Sequence, residues 1–294
     1  MANLKEVKAR IQSVNSTQQI TKAMKMVAAA KLKRAQDNIL QMRPYAQKLS
    51  GILKNLSSLN DGDNNSSKYS EERAEGNILL IVVTSDKGLC GAFNSSIFKA
   101  TNRVIEEKYK KQFEAGRLTI LPIGKKALEF FTKRNYNVIN DYWNMFSPVS
   151  FEKSSEAAQF VMDSFVDEKF DKVEIIYNEF KNVATQILNV EQYLPVERAE
   201  EAEATTYGVD YIFEPSQEQI VKDLIPKSLK VQLYKAILES NASEHGARMT
   251  AMDQATDNAG ELLKDLRLTY NRTRQAAITT EILEIVAGAE ALGA

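Results

Sequence analysis

The chain has 294 residues, of which 44% are apolar and 26% charged, and its formal net charge is −1. That length is enough for one or two domains with a hydrophobic core. The chain has a single cysteine, which excludes an internal disulfide. It also has only one histidine, so a metal site built from cysteine or histidine ligands is not expected. No signal-peptide core begins the chain and no apolar run reaches about 18 residues, so we expect no direct membrane span.

The N-terminal segment, residues 1–58, is predicted to form one long helix. Residues 1–43 contain neither glycine nor proline, and Asn3 followed by Glu6 has the spacing of a helix-capping box. Pro44 is expected to bend the helix, because proline removes one backbone hydrogen bond. The segment far exceeds the usual globular helix of about 11–12 residues, which predicts a rod.

Apolar residues in this segment recur at steps of three and four, starting at Leu4 and Val7. That spacing is typical of the seam of a coiled coil. Further along we expect the seam to drift through Ile20, Met24 and Val27 before it resumes.

The middle of the chain has a different pattern. Residues 59–76 are predicted to be a linker, and residues 77–209 a Rossmann-like α/β domain, because strand-like runs alternate with helical ones. The predicted strands cover 77–84, 118–121, 136–139, 172–177 and 185–196, the last of them at an edge of the sheet. The predicted helices between them cover 94–114, 125–133 and 154–168.

The last segment, residues 210–294, is predicted to hold a foot followed by a second long helix. From Met249 to Ala277 the seam steps alternate between three and four, and the seam then shifts by one residue to Ile278 and Ile282. Two long helices with one chain reversal predict an intramolecular antiparallel coiled coil beside an open-sheet domain, which is an α/β fold class.

Charge is distributed unevenly along the chain. Residues 1–54 carry eleven basic and two acidic side chains, a net charge of +9. Residues 197–223 carry eight acidic and two basic side chains, a net charge of −6. This predicts partners of complementary charge at different places. Nucleic-acid binding is an alternative for the basic helix, but that helix lacks interleaved aromatic residues, which favours an acidic protein surface.

One loop, Asp86–Asn94, has the context of a phosphate site because it joins the first strand to a helix. Its glycines, Gly88 and Gly91, give G-x-x-G instead of G-x-G-x-x-G. A tight turn is the preferred interpretation, and a nucleotide-sensing module with coiled-coil arms is the alternative. Cys90 lacks a neighbouring base, because His245 lies in the second long helix, on a face that we expect to be solvated. We therefore predict no catalytic, cofactor-binding or metal-binding residue.

Four separated blocks resemble the γ subunits of F-type ATP synthases. They begin at Ile20 (ITKAMKMVAAAK), Ser85 (SDKGLCGAFN), Glu244 (EHGARMTAMDQATDNA) and Tyr270 (YNRTRQAAITTE). The stretch 210–215 (DYIFEP) resembles the foot segment of the same family. The likeness covers essentially the whole chain and is closest in type to the bacterial members.

The resemblance implies a central rotor shaft without an active site of its own. The two helices would lie inside the ring of α and β subunits, and the foot would rest on the c-ring beside the ε subunit. Proton flow would turn the c-ring and the shaft together, so that each catalytic β subunit meets a different face in turn. The resemblance also implies a peripheral protein at the cytoplasmic face of the cell inner membrane, with no nucleic-acid partner.

The resemblance further implies a set of contact residues. Positions matching those that face the α and β subunits are Met24, Lys25, Arg248, Arg274, Gln275, Thr279 and Glu281. Of these, Met24 and Lys25 match the segment beside the acidic lever of the β subunits. Tyr211 and Glu214 match foot residues that face the c-ring.

Overall fold

The computed structural model describes residues 4–58, 68–71, 73–183, 185–196 and 217–292. The chain divides into two compact units, formed by residues 1–28 with 248–294 and by residues 29–247. Among the described residues, the first unit consists of helix alone, and the second combines helices with a five-stranded sheet. The α/β fold class with long N- and C-terminal helices is confirmed.

The described elements follow one another in a strand–helix alternation between two long helices. They are α1 (Leu4–Ser58), β1 (Ile78–Val83), α2 (Phe93–Glu107), α3 (Lys110–Glu114), β2 (Leu118–Ile123), α4 (Lys125–Thr132), β3 (Asn137–Val138), α5 (Phe151–Val166), β4 (Lys172–Phe180), β5 (Gln186–Leu194) and α6 (Gln217–Leu292). Helix α1 continues through Pro44, and α6 continues through Pro226.

Helix α1 buries one face in a single unbroken heptad register. Its buried and half-buried positions, at alternating steps of three and four, are Leu4, Val7, Ile11, Val14, Gln18, Thr21, Lys25, Ala28, Leu32, Ala35, Ile39, Met42, Ala46 and Leu49. The expected drift of the seam is therefore wrong, since Ile20 is 59% exposed and Val27 is 57% exposed. The central seam consists of small and polar residues, so their apolar neighbours gave the misleading pattern.

The sheet has the strand order β3-β2-β1-β4-β5. Strands β1 to β4 pair in parallel, and β5 lies at one edge as the sequence predicts, where it pairs antiparallel with β4. Parallel pairing explains why β1 is apolar at every position, because a parallel sheet is covered on both faces.

Two hydrophobic clusters cover the two faces of the sheet. One face packs Leu79 and Ile81 of β1 against α5 and the N-terminal part of α6. The other packs Ile78 and Leu80 against α2 and α4. Burying each such side chain contributes about 1.5–3 kcal/mol, which makes this three-layer arrangement the main source of stability in the second unit.

Several element boundaries differ from those predicted. The helix predicted over 94–114 is two helices, α2 and α3, with a break at Lys108 and Tyr109. Helix α5 begins three residues early because the hydroxyl of Ser150 accepts a hydrogen bond from the N–H of Lys153. Strand β4 continues beyond the predicted Tyr177 because it forms a hairpin with β5.

Candidate functional site

In the first unit, the N-terminal part of α1 and the C-terminal part of α6 pair side by side and antiparallel. The hydroxyls of Thr21 and Thr256 lie 2.8 Å apart, and Lys25 forms an ion pair with Asp253. Residue numbers therefore rise on one helix as they fall on the other. The α6 side of this seam buries Met252, Ala259, Leu263 and Leu266, as its heptad spacing predicts.

Polar groups occupy the centre of this seam. The hydroxyl of Thr256 donates to that of Thr21, which donates to the carbonyl of Gln18 at 3.0 Å. The amide of Gln18 donates in turn to the carbonyl of Thr256 at 3.4 Å. Such directional groups fix the register of a helix pair, whereas an all-apolar seam would permit sliding.

Beside the seam, α1 presents an apolar strip to solvent. We call Ile20, Met24 and Val27 the outer strip, because their spacing of four and three places them on one line of the helix. Ile20 and Val27 are more than half exposed, and Met24 is half-buried. Exposed apolar side chains in a line mark a surface for a partner protein. The residues that gave a misleading seam are thus the better candidates for a binding surface.

The C-terminal end of α6 extends beyond the start of α1. Counting along both helices from the Lys25–Asp253 pair, Leu4 lies level with residues near position 274. Past that point Ile278, Ile282 and Ile285 are 46%, 54% and 70% exposed. The predicted continuation of the seam through these residues is therefore wrong, because no described residue of α1 is level with them.

Four of the predicted contact residues lie on this C-terminal end of α6. Arg274, Gln275, Thr279 and Glu281 are all exposed. The hydroxyl of Thr279 donates to the backbone carbonyl of Gln275 at 2.9 Å, a bond within the helix. Arg248 lies about seven helical turns away along α6 and is half-buried.

The other predicted contact residues are placed differently. Met24 belongs to the outer strip, whereas the ammonium of Lys25 is engaged by Asp253 within the chain. Both side chains of that pair remain partly exposed, at 39% and 48%. Tyr211 and Glu214, predicted to face the c-ring, lie outside the described residues.

In the second unit, the Asp86–Asn94 loop is held in place by its own side chains. The N–H of Ser85 donates to the side-chain oxygen of Asn94 at 3.1 Å, and Cys90 is buried. The carboxylate of Asp86 accepts the N–H of Lys125 at the start of α4. Asp86 thus caps α4, and the loop's side chains bond to the protein itself, in keeping with a tight turn.

His245 does not lie on a solvated face. Its side chain is only 13% exposed, and its Nδ1 atom is 3.8 Å from a carboxylate oxygen of Glu244. The expectation from sequence is wrong because the polar residues around position 245 pack inside the second unit.

Within the described ranges, no cluster of histidine, cysteine or carboxylate side chains has the arrangement of a metal site. Of the helices in those ranges, none combines the length and the apolar character needed to cross a membrane.

Comparison with known proteins identifies the family of this chain. The family model described as ATP synthase matches residues 3–292. The ATP synthase gamma chain of Cytophaga hutchinsonii is 60% identical over 296 aligned positions, covering 99% of each chain. That of Christiangramia forsetii is 54% identical, again over 99% of each chain.

Solved structures agree with the sequence relatives. The central stalk and c-ring structure of Tetrahymena thermophila mitochondrial ATP synthase contains a chain that is 27% identical, with a TM-score of 0.58, covering 80% of this chain and 99% of that one. A chain of the Euglena gracilis mitochondrial ATP synthase has the same fold, with a TM-score of 0.66 at 22% identity, covering 98% of this chain and 94% of that one. This protein therefore belongs to the ATP synthase gamma chain family.

Proposed function

We propose that this chain is the central stalk of a proton-translocating ATP synthase. In this role it turns with the c-ring and transmits that rotation to the catalytic β subunits, and it carries out no bond chemistry itself. The observation that carries the proposal is the family membership over residues 3–292 together with the antiparallel pairing of α1 and α6. The ε subunit, the α subunits and the c-ring are its further partners, and its position is peripheral, at the cytoplasmic face of the inner membrane.

The C-terminal end of α6 supports the proposal through its surface. A helix that exposes Ile278, Ile282 and Ile285 in water needs an apolar partner, since a soluble monomer rarely presents such a line of apolar side chains. A sleeve of apolar residues from the α and β subunits fits this requirement. Such a contact is non-directional, so the helix end can turn inside it.

We propose the contact residues that the family resemblance implies. We assign Arg274, Gln275, Thr279 and Glu281 to the polar contacts that grip the helix end, because all four are exposed there. The α and β ring also contacts Met24, Lys25 and Arg248, which lie farther from the C-terminus of α6. The c-ring contacts Tyr211 and Glu214. For Lys25 the contact with the α and β ring is made in exchange for its ion pair with Asp253.

The test is assembly and coupling in the whole enzyme. The chain is co-expressed with its own α, β and remaining synthase subunits, and membranes are assayed for ATP hydrolysis and ATP-driven proton pumping. We expect the chain to co-purify with α and β, and the pure chain to show no hydrolysis. Robust hydrolysis by the pure chain, or absence of α and β from the purified complex, would overturn the proposal.

A matched pair of variants tests the binding surface. Replacing Ile20 and Val27 of the outer strip by glutamine removes exposed apolar area and leaves the seam intact. We expect unchanged thermal stability of the free chain and weaker retention of α and β. The control is Phe113→Gln on α3, a 41% exposed apolar residue of the second unit, which should leave retention unchanged. Equal retention for both variants would exclude the outer strip as a contact.

A further inference from the structure

A buried carboxylate in the second unit connects three elements. Glu239 lies on α6, and its side chain is only 2% exposed. Its Oε2 atom accepts the backbone N–H of Phe180, the last residue of β4, at 3.1 Å. Its Oε1 atom lies 3.4 Å from a guanidinium nitrogen of Arg43 on α1. One side chain thus connects both long helices and the end of the central sheet.

A buried carboxylate lowers the stability of the fold if it serves only to fill space. Taking a carboxylate out of water is unfavourable unless hydrogen bonds and an opposite charge compensate it. An apolar residue at position 239 would avoid that cost. The carboxylate instead makes the contact directional, because its bonds to Arg43 and to the Phe180 N–H form only in one arrangement of α1, α6 and the β4–β5 hairpin.

The hairpin touches α6 at a second point. A Cβ added to Gly246 would lie 3.4 Å from the Phe180 ring and 3.7 Å from the backbone of Val183. Residues 239 and 246 are seven apart, so they lie two turns apart on the same face of α6. The hairpin is therefore held against α6 over two helical turns, by a polar bond at one end and by close packing at the other.

We propose that Glu239 is a positioning residue that makes the sheet and the two long helices turn as one body in the second unit. This inference rests on the proposed function, because it assigns the place where twist passes from the sheet to the helices. Without the carboxylate, the hairpin and α1 keep their folds but move against α6, and part of the rotation is absorbed as internal motion. The predicted consequence is loss of coupling at a normal rate of ATP hydrolysis.

The chain offers a matched control in Glu174. This residue of β4 is also buried, with a side chain 4% exposed, and its Oε1 atom accepts from the ammonium of Lys108 at 3.1 Å. It joins β4 to the residue that follows α2, without involving either long helix. Glu174→Gln therefore removes a buried charge of the same kind and leaves the connection between sheet and long helices untouched.

The experiment compares coupling in membranes that contain the whole enzyme. Glu239→Gln keeps an acceptor for the Phe180 N–H but loses the charge facing Arg43, and Glu239→Ala loses both. We expect the ratio of proton pumping to hydrolysis to fall by about two-fold for the glutamine variant and further for alanine. Arg43→Gln should also lower the ratio, because it leaves the buried Glu239 carboxylate without its opposite charge, and Glu174→Gln should keep the wild-type ratio.

The outcomes separate this inference from the proposed function. If wild-type chain restores pumping but Glu239→Ala keeps the wild-type ratio, the inference is overturned and the central-stalk function stands. The same holds if Glu174→Gln lowers the ratio as much as Glu239→Gln, because the effect is then one of general stability. If the wild-type chain neither assembles with α and β nor restores pumping, the proposed function itself fails.

Discussion

The ammonium of Lys25 on α1 pairs with the carboxylate of Asp253 on α6, across the seam of the first unit. Resemblance to the family assigns Lys25 to a contact with the β subunits, yet the structure shows it engaged within the chain. The two side chains are 39% and 48% exposed, so water and salt screen the pair. The pair is therefore weak enough to be exchanged for a contact with a partner.

A double-mutant cycle measures the strength of this pair. We expect Lys25→Gln and Asp253→Asn each to lower the free energy of unfolding by less than about 1 kcal/mol, with a coupling energy of about 0.5 kcal/mol. Urea unfolding at low and high salt checks both values. A coupling energy that does not decrease with salt would contradict an exposed, exchangeable pair.

The Thr21–Thr256 hydroxyl pair predicts that the stability losses of two single variants do not add. Thr256→Val removes the donor to Thr21 and should destabilise the chain by about 1 kcal/mol. Adding Thr21→Val should cost less than Thr21→Val does alone, because the bond between the two hydroxyls is already lost. The measurement is thermal unfolding of the single and double variants. Strictly additive losses would show that the two hydroxyls do not interact.

Gly124 is required by its backbone conformation. Its φ angle is +105°, and an added Cβ would lie 2.3 Å from the carbonyl oxygen of Thr84. Gly124→Ala is therefore expected to destabilise the second unit by about 3 kcal/mol, since both the strain and the backbone clash must be relieved. Gly116→Ala serves as the control, because Gly116 also has a positive φ angle of +71° but open space around it. A smaller loss for Gly124→Ala than for Gly116→Ala would contradict the argument.

Buried tyrosines should make the chain sensitive to alkali. Burial raises the pKa of Tyr193, whose hydroxyl donates to the carbonyl of Leu229 at 3.0 Å. Burial also raises the pKa of Tyr109 and Tyr177, with Glu174 and Glu191 as the next contributions. The unfolded chain releases these protons near pH 10.0, before the folded chain does, so stability is complete below that pH and falls above it.

Tyr193→Phe isolates one of these groups. At neutral pH we expect a loss of about 1 kcal/mol, because the hydrogen bond to Leu229 disappears. Above pH 10.0 the variant should lose stability less steeply than wild type, so the two proteins converge. Urea unfolding at a series of pH values checks this. Parallel pH profiles would mean that the ionisation of Tyr193 is not linked to unfolding.

Strong local patterns predict most of the fold. The unbroken apolar run of β1 predicts a buried parallel strand, and the heptad steps from Met249 predict the α6 seam as far as Thr273. The N-terminal seam is harder to predict from the sequence. The seam positions hold Gln18, Thr21 and Lys25, whereas the apolar Ile20 and Val27 are exposed. Hydrophobicity alone selects the wrong line there, since an exposed partner surface and a buried seam have the same residue types.

Tertiary contacts that lack a local signal could not be predicted. Nothing near Glu239 in the sequence indicates that it would be buried, because its partners Arg43 and Phe180 are distant in the chain. The same applies to His245, whose polar neighbours indicate solvent. The predicted domain boundaries and the contact residues stay predictions, and Tyr211 and Glu214 lie outside the described residues.

Direct observation of rotation tests the central claim. Lys111 on α3 is exposed and Cys90 is buried, so Lys111→Cys offers a single reactive thiol for a probe on the second unit. The α and β subunits are fixed to a surface, and the probe is followed while ATP is hydrolysed. We predict stepwise rotation in one direction that stops when ATP is removed. A probe that stays still while the same complexes hydrolyse ATP would contradict the account.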